Sequence, residues 1–206
     1  MLSLSYYIST EIFNLTGTVS RIVAAFMCTT LLSVFVLVIG AVVNWFESFQ
    51  MRMLRKFFKR KTVIFICNYL TFVGTVLHEL AHAFTAWAMG AKITEIRVLE
   101  IRDDGRLGHV GFRPTGSKTK QKLQCTFVSC APVISGMILI WLIFRSIRSG
   151  FMSPLWQVIS WYYIISIADH MSMSSADRKL YFKGLTRVFP VTFFISWGLM
   201  YFFMSH

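Results

Sequence analysis

Charge is what this chain has least of. Asp, Glu, Lys and Arg together make up 15% of its 206 residues, against about a quarter in a soluble domain. Only 9 residues are acidic, few enough for each to be asked what it does. With 55% hydrophobic residues and a mean hydropathy of +0.60, the chain lacks the polar composition that intrinsic disorder requires. Glycine at 12 residues and proline at 4 exclude a collagen-like repeat. The cysteines, Cys28, Cys67, Cys125 and Cys130, include no C-x-x-C pair and are too few for a disulfide scaffold. Cys28 and Cys67 lie inside apolar runs and read as buried free thiols.

Apolar and aromatic surface is in excess instead. Aromatics reach 16%, more than one small globular core can bury, so the composition predicts an integral membrane protein. Stretches without Asp, Glu, Lys or Arg cover 22–46, 62–78, 123–144, 149–168 and 188–206. A spanning helix needs about 20 mostly apolar residues. The second stretch continues past His78 and Glu79 to Ala91 with no further charge. It predicts one long helix over 63–90, closed by Gly90 as a C-cap. Pro132 and Pro154 are expected to mark helix starts. Residues 4–16, containing Glu11, read as an interfacial segment, and no basic n-region announces a removable signal peptide.

The one polar segment covers 92–122. Ile93–Ile101 is rich in β-branched residues, Asp103-Asp104-Gly105 is a turn signal, and Arg106–Arg113 follows. This predicts a β-hairpin. The expected fold is therefore an α-helical integral membrane protein with about five to six transmembrane helices and a small membrane-associated β-hairpin. Two regions are expected: 1–62, a membrane segment with a basic linker, and the core, 63–206.

The net charge of +12 would suggest nucleic acid in a soluble protein. Here the basic residues fall between apolar runs, where they anchor helix ends and attract anionic lipid. The expected partner is the lipid bilayer, not nucleic acid. If the runs starting at 22, 63, 123 and 149 each cross once, 13 basic residues share one side and 8 the other. The positive-inside bias makes the first side cytoplasmic and predicts a multi-pass protein of the cell membrane.

His78-Glu79-Leu80-Ala81-His82 matches H-E-x-x-H. Residues i and i+4 share one helix face, so both imidazoles can reach one zinc ion. Glu79 stands beside the first of them, where its carboxylate can take a proton from water. Ionisable groups inside a membrane helix are costly and usually functional. A catalytic zinc takes three protein ligands as a rule. Among the acidic residues, Glu11 and Glu47 flank the first apolar run, and Glu95 to Asp104 belong to the hairpin. Asp169 and Asp177 remain, either side of His170-Met-Ser-Met-Ser-Ser-Ala176, with His109 and His170 as rival ligands.

These features, in this order, resemble the site-2 protease type of intramembrane zinc metalloprotease. Leu77–Ala83 followed by Ala88-Met-Gly-Ala-Lys-Ile93 looks like that family's first core helix and its exit. Gly108-His-Val-Gly111 resembles its membrane-dipping β-segment, and Cys130-Ala-Pro-Val-Ile-Ser135 its A/G-P-x-x-N motif. Asp169 and Asp177 stand eight apart, as do the family's Asn and its ligand Asp. The resemblance covers residues 63–190. It implies zinc on His78, His82 and Asp177, Glu79 as general base, and Asp169 in the Asn position that supports site and substrate. The implied activity is hydrolysis of peptide bonds in transmembrane or membrane-proximal segments of proteins or membrane-bound peptides, with the site towards the cytoplasmic side. Three positions depart from the pattern: Asp169 for Asn, Ser135 for Asn, and Arg178 where a Gly follows the ligand Asp. They favour the alternative, a non-proteolytic membrane binding or metal-site protein on the same scaffold.

Overall fold

A computed structural model describes residues 1–12, 17–101 and 107–203. It is mostly helical. In chain order come α1 (Leu2–Tyr7) with a π-helical turn to Ile12, α2 (Gly17–Leu54) and α3 (Arg60–Phe65), which runs into a π-helical turn, Ile66–Leu70. Then follow α4 (Phe72–Ala88), the strands β1 (Lys92–Ile101) and β2 (Leu107–Arg113), α5 (Lys118–Arg148), α6 (Pro154–His170) and α7 (Ser175–Phe203).

Among the described residues three helices, α2, α5 and α7, are long and apolar enough to cross a membrane, fewer than the five or six expected. The single helix expected over 63–90 is divided at Thr71 into the π-turn and α4. The fourth run begins its helix only at Pro154 and ends at His170. Both α4 and α6 therefore have 17 residues, about 26 Å at 1.5 Å per residue, short of a full span. Pro154 does start its helix, but Pro132 lies inside α5. That helix starts earlier because Ser117 caps it, its hydroxyl accepting from the Lys120 N–H at 3.3 Å.

Gly90 closes α4 as expected. Its φ of 72° is costly for any residue with a Cβ, and the Ala91 N–H reaches back to the Ala86 carbonyl at 2.8 Å. The strands then pair antiparallel, with Ile96 opposite Val110, Arg97 opposite His109 and Ile101 opposite Leu107. The Asp103–Gly105 turn lies outside the described residues.

Small residues set the packing. The Gly74 N–H donates to Ser166 Oγ at 2.8 Å, and that hydroxyl donates to the Thr71 carbonyl at 2.9 Å. A Cβ on Gly74 would sit 1.9 Å from the Ser166 carbonyl oxygen, so α4 and α6 touch backbone to backbone. Gly184 likewise leaves no room for a Cβ where α7 meets the Thr126 hydroxyl and the Lys122 carbonyl of α5. Close approach at small residues is how helices associate where lipid supplies no hydrophobic drive. Val36 of α2, Cys130 and Val133 of α5, and Met173 and Tyr181 form the buried core beside them. Outward-facing Val34, Val38, Val42, Trp141, Phe194 and Ile195 are exposed, a surface that suits hydrocarbon better than water. Gly74→Ala should destabilise the fold by about 1–3 kcal/mol through overpacking, read as a lower unfolding midpoint in detergent. An unchanged midpoint would mean that α4 and α6 are not in this contact.

Candidate metal centre

His78 and His82 lie on one face of α4, and their Nε2 atoms are 3.1 Å apart. Asp177, in the first turn of α7, brings Oδ1 to 3.6 Å from His82 Nε2. The ligand atoms of these three residues all lie within 4.8 Å of one another. His82 and Asp177 are each 8% exposed.

The other ring nitrogens fix the tautomers. His78 Nδ1 is 2.6 Å from the His170 carbonyl oxygen, and His82 Nδ1 is 2.8 Å from that of Val128. A carbonyl only accepts, so each Nδ1 carries the hydrogen and each Nε2 a lone pair, an assignment made from the hydrogen-bond network. With both rings neutral, two lone pairs facing each other at 3.1 Å repel unless a proton or a metal cation lies between them. Two nitrogens on a tetrahedral zinc ion at about 2.0–2.1 Å would be about 3.3 Å apart. The donors fit a divalent metal ion, and His78, His82 and Asp177 are the residues that would hold it.

Asp177 is held by its own helix. The Ser174 N–H donates to Asp177 Oδ2 at 2.9 Å, and the Asp177 N–H donates to Ser174 Oγ at 3.1 Å. This reciprocal pair is a capping box. It occupies one carboxylate oxygen and leaves the other aimed at His82, while the helix N-terminus favours the negative charge. Arg178 braces the preceding break, its Nη1 donating to the Met173 carbonyl at 2.7 Å.

Around these residues lies a cavity of about 500 Å³ walled by α2, α4, β2, α6 and α7. Glu79, half-buried, faces it beside Gly108 of β2, where an added Cβ would stand 3.0 Å from Glu79 Cγ. Asp169, 9% exposed, forms part of the wall; its Oδ1 has no hydrogen-bond partner among the described residues. The structure brings together His78, His82 and Asp177, with Glu79 at the same cavity. Asp169 and the rival ligands His109 and His170 line that cavity without joining the group.

Glu47 flanks the first apolar run. It lines the cavity too, accepting from Ser172 Oγ at 3.1 Å. No local pattern announces this, because the contact spans 125 residues. Ser174 was missed although its signal is short: Ser174-Ser-Ala-Asp177 has the spacing of a capping box.

His82→Ala and Asp177→Ala should each weaken zinc binding by more than the roughly 10–100-fold that an outer-shell partner is worth. Asp169→Asn should retain it, as metal analysis of purified chains can check. Retention of stoichiometric metal by His82→Ala would exclude this centre. No family model, curated protein or solved structure matches the chain, so its function is argued from the geometry.

Proposed function

We propose that this chain is a zinc-dependent membrane endopeptidase that hydrolyses peptide bonds in transmembrane or membrane-proximal segments. The observation that carries the reading is the pair of Nε2 atoms, one on buried His82 and one on half-buried His78, facing each other with a capped carboxylate beside them. Glu79 shares their cavity, and the helices around them present apolar surface outward. The motif order that resembles the site-2 protease type supports the same reading. In it, α4 and α6 complete a multi-pass bundle with α2, α5 and α7, and the site lies towards the cytoplasmic side.

The chemistry zinc supplies when bound is Lewis acidity, acidifying water towards a pKa of about 7 and polarising a peptide carbonyl. The chain's residues do the rest. His78, His82 and Asp177 hold the ion. Glu79 accepts a proton from the attacking water and later delivers it to the leaving amine, which balances the hydrolysis. The Glu47, Asp169 and His109 side chains give the cavity a polar wall. A volume of about 500 Å³ has room for several waters at about 30 Å³ each. A substrate helix must unwind before its carbonyls are accessible, and the edge of the β1–β2 pair can accept the unwound strand. Asp169, in the wall near His170, supports the bound segment.

The alternative is a non-proteolytic metal-site or binding protein on the same scaffold, favoured by the departures at Ser135 and Arg178. It shares the three ligands and differs only at Glu79. In lipid vesicles carrying a library of membrane peptides, wild type should cut and Glu79→Gln should lose about 10²–10⁴-fold in rate with metal content unchanged. Cleavage that survives Glu79→Gln would remove the protease reading and leave the alternative.

A further inference from the structure

Helix α5 runs through Pro132 without ending there. In an α-helix the N–H of residue i donates to the carbonyl of residue i−4. Proline has no N–H, so the Val128 carbonyl receives no ladder bond. Val128 is 1% exposed, and a buried carbonyl without a donor is expensive. The donor it finds is His82 Nδ1–H at 2.8 Å.

The same arrangement recurs across the site. The ladder donor for the His170 carbonyl would be the Ser174 N–H, which instead donates to Asp177 Oδ2 at 2.9 Å. The His170 carbonyl accepts from His78 Nδ1–H at 2.6 Å. Each imidazole is thus oriented by a carbonyl whose helical partner, four residues on, is missing or diverted.

We propose that Pro132 is a positioning residue of the metal centre: by lacking an N–H, it leaves the Val128 carbonyl to His82 and so aims the His82 Nε2 lone pair at the ion. This rests on the metal-binding reading of His78, His82 and Asp177. A carbonyl has two lone pairs, so the competition is one of direction. A ladder N–H draws the oxygen along the helix axis; without it, the oxygen can tilt towards α4. Outer-shell acceptors of this kind fix the ring's tautomer and orientation and raise its basicity as a ligand. The proline carries a cost, since it weakens the helix it interrupts. Function and helix stability therefore pull in opposite directions at this position, and that opposition makes the proposal testable.

The full chain in detergent is compared as wild type, Pro132→Ala, and a chain with lactic acid at position 132. The last carries the alanine side chain on a backbone ester, so it has neither ring nor N–H. Zinc affinity is measured by chelator competition, the visible spectrum of the cobalt-loaded protein reports ligand geometry, and the metal-free unfolding midpoint reports the fold. Pro132→Ala should bind zinc about 10–100-fold more weakly with a changed cobalt spectrum, at an unchanged or higher unfolding midpoint. The ester chain should regain wild-type affinity and spectrum. Wild-type affinity in Pro132→Ala would overturn the proposal, as would an ester chain as weak as the alanine one, because the ring would then be what matters. If Pro132→Ala is not recovered folded, the ester chain decides against wild type: equal affinity supports the proposal, and weak binding overturns it. A wild type that binds no zinc fails the metal reading itself, a result distinct from the others.

Discussion

The structure turns on two imidazole lone pairs held 3.1 Å apart, one on buried His82 and one on half-buried His78. Left alone, that arrangement is repulsive, and ring rotation would relieve it. Rotation is blocked because each ring's opposite nitrogen is tied to a backbone carbonyl, at 2.6 and 2.8 Å. The carbonyls come from α6 and α5, so α4 can keep both rings in place only while packed between those helices. Gly74 permits the first contact by letting the α4 backbone touch Ser166. On the other side, Asp177 is fixed by its own capping box. A carboxylate restrained through one oxygen loses little further freedom when the other oxygen binds. The three donors are thus pre-positioned by separate parts of the fold.

The N-terminal helix α2 ties into the same place. Glu47 accepts from Ser172 within the short break between α6 and α7, and Arg178 donates to Met173 in that break. The break precedes Asp177 by a few residues, so both contacts bear on where α7 begins. Tyr181 adds a third restraint, its hydroxyl donating to the Ser33 carbonyl at 3.2 Å. The region outside the family-like motifs therefore braces the segment that delivers the third donor.

How much of this could be read in the sequence depended on the range of the interaction. His78 and His82 were legible because helical periodicity alone puts them on one face. The hairpin was legible from β-branched composition, and Gly90 from the need for a positive φ. Asp177 needed either the resemblance or its capping-box spacing, and elimination alone left Asp169, His109 and His170 in play. Glu47 was not legible, since its role depends on a residue 125 positions away. Fewer helices than expected are long and apolar enough to cross a membrane, for a related reason. An apolar run shows where charge is absent, not where the helix breaks, and the break at Thr71 cuts one run into pieces. Pro132 was misread because the rule that proline starts helices assumes that a missing N–H must be hidden at an end. Here the missing bond is used in the middle.

Hydrocarbon offers no water to a freed backbone group, so a spanning helix can be interrupted only where protein supplies a partner. Three interruptions around the cavity obey that constraint. At the break before α4, the Leu70 carbonyl accepts from the Tyr162 hydroxyl at 2.9 Å and the Thr71 carbonyl from Ser166 Oγ at 2.9 Å, both from α6. At Pro132 the Val128 carbonyl accepts from His82, and at the end of α6 the His170 carbonyl accepts from His78. The first two partners are a tyrosine and a serine, which lock α4 against α6. The last two are the metal-ligand candidates themselves. Satisfying the backbone and orienting the imidazoles are then one set of hydrogen bonds. That economy lets the helices around this cavity be interrupted at the places where the site needs a backbone acceptor.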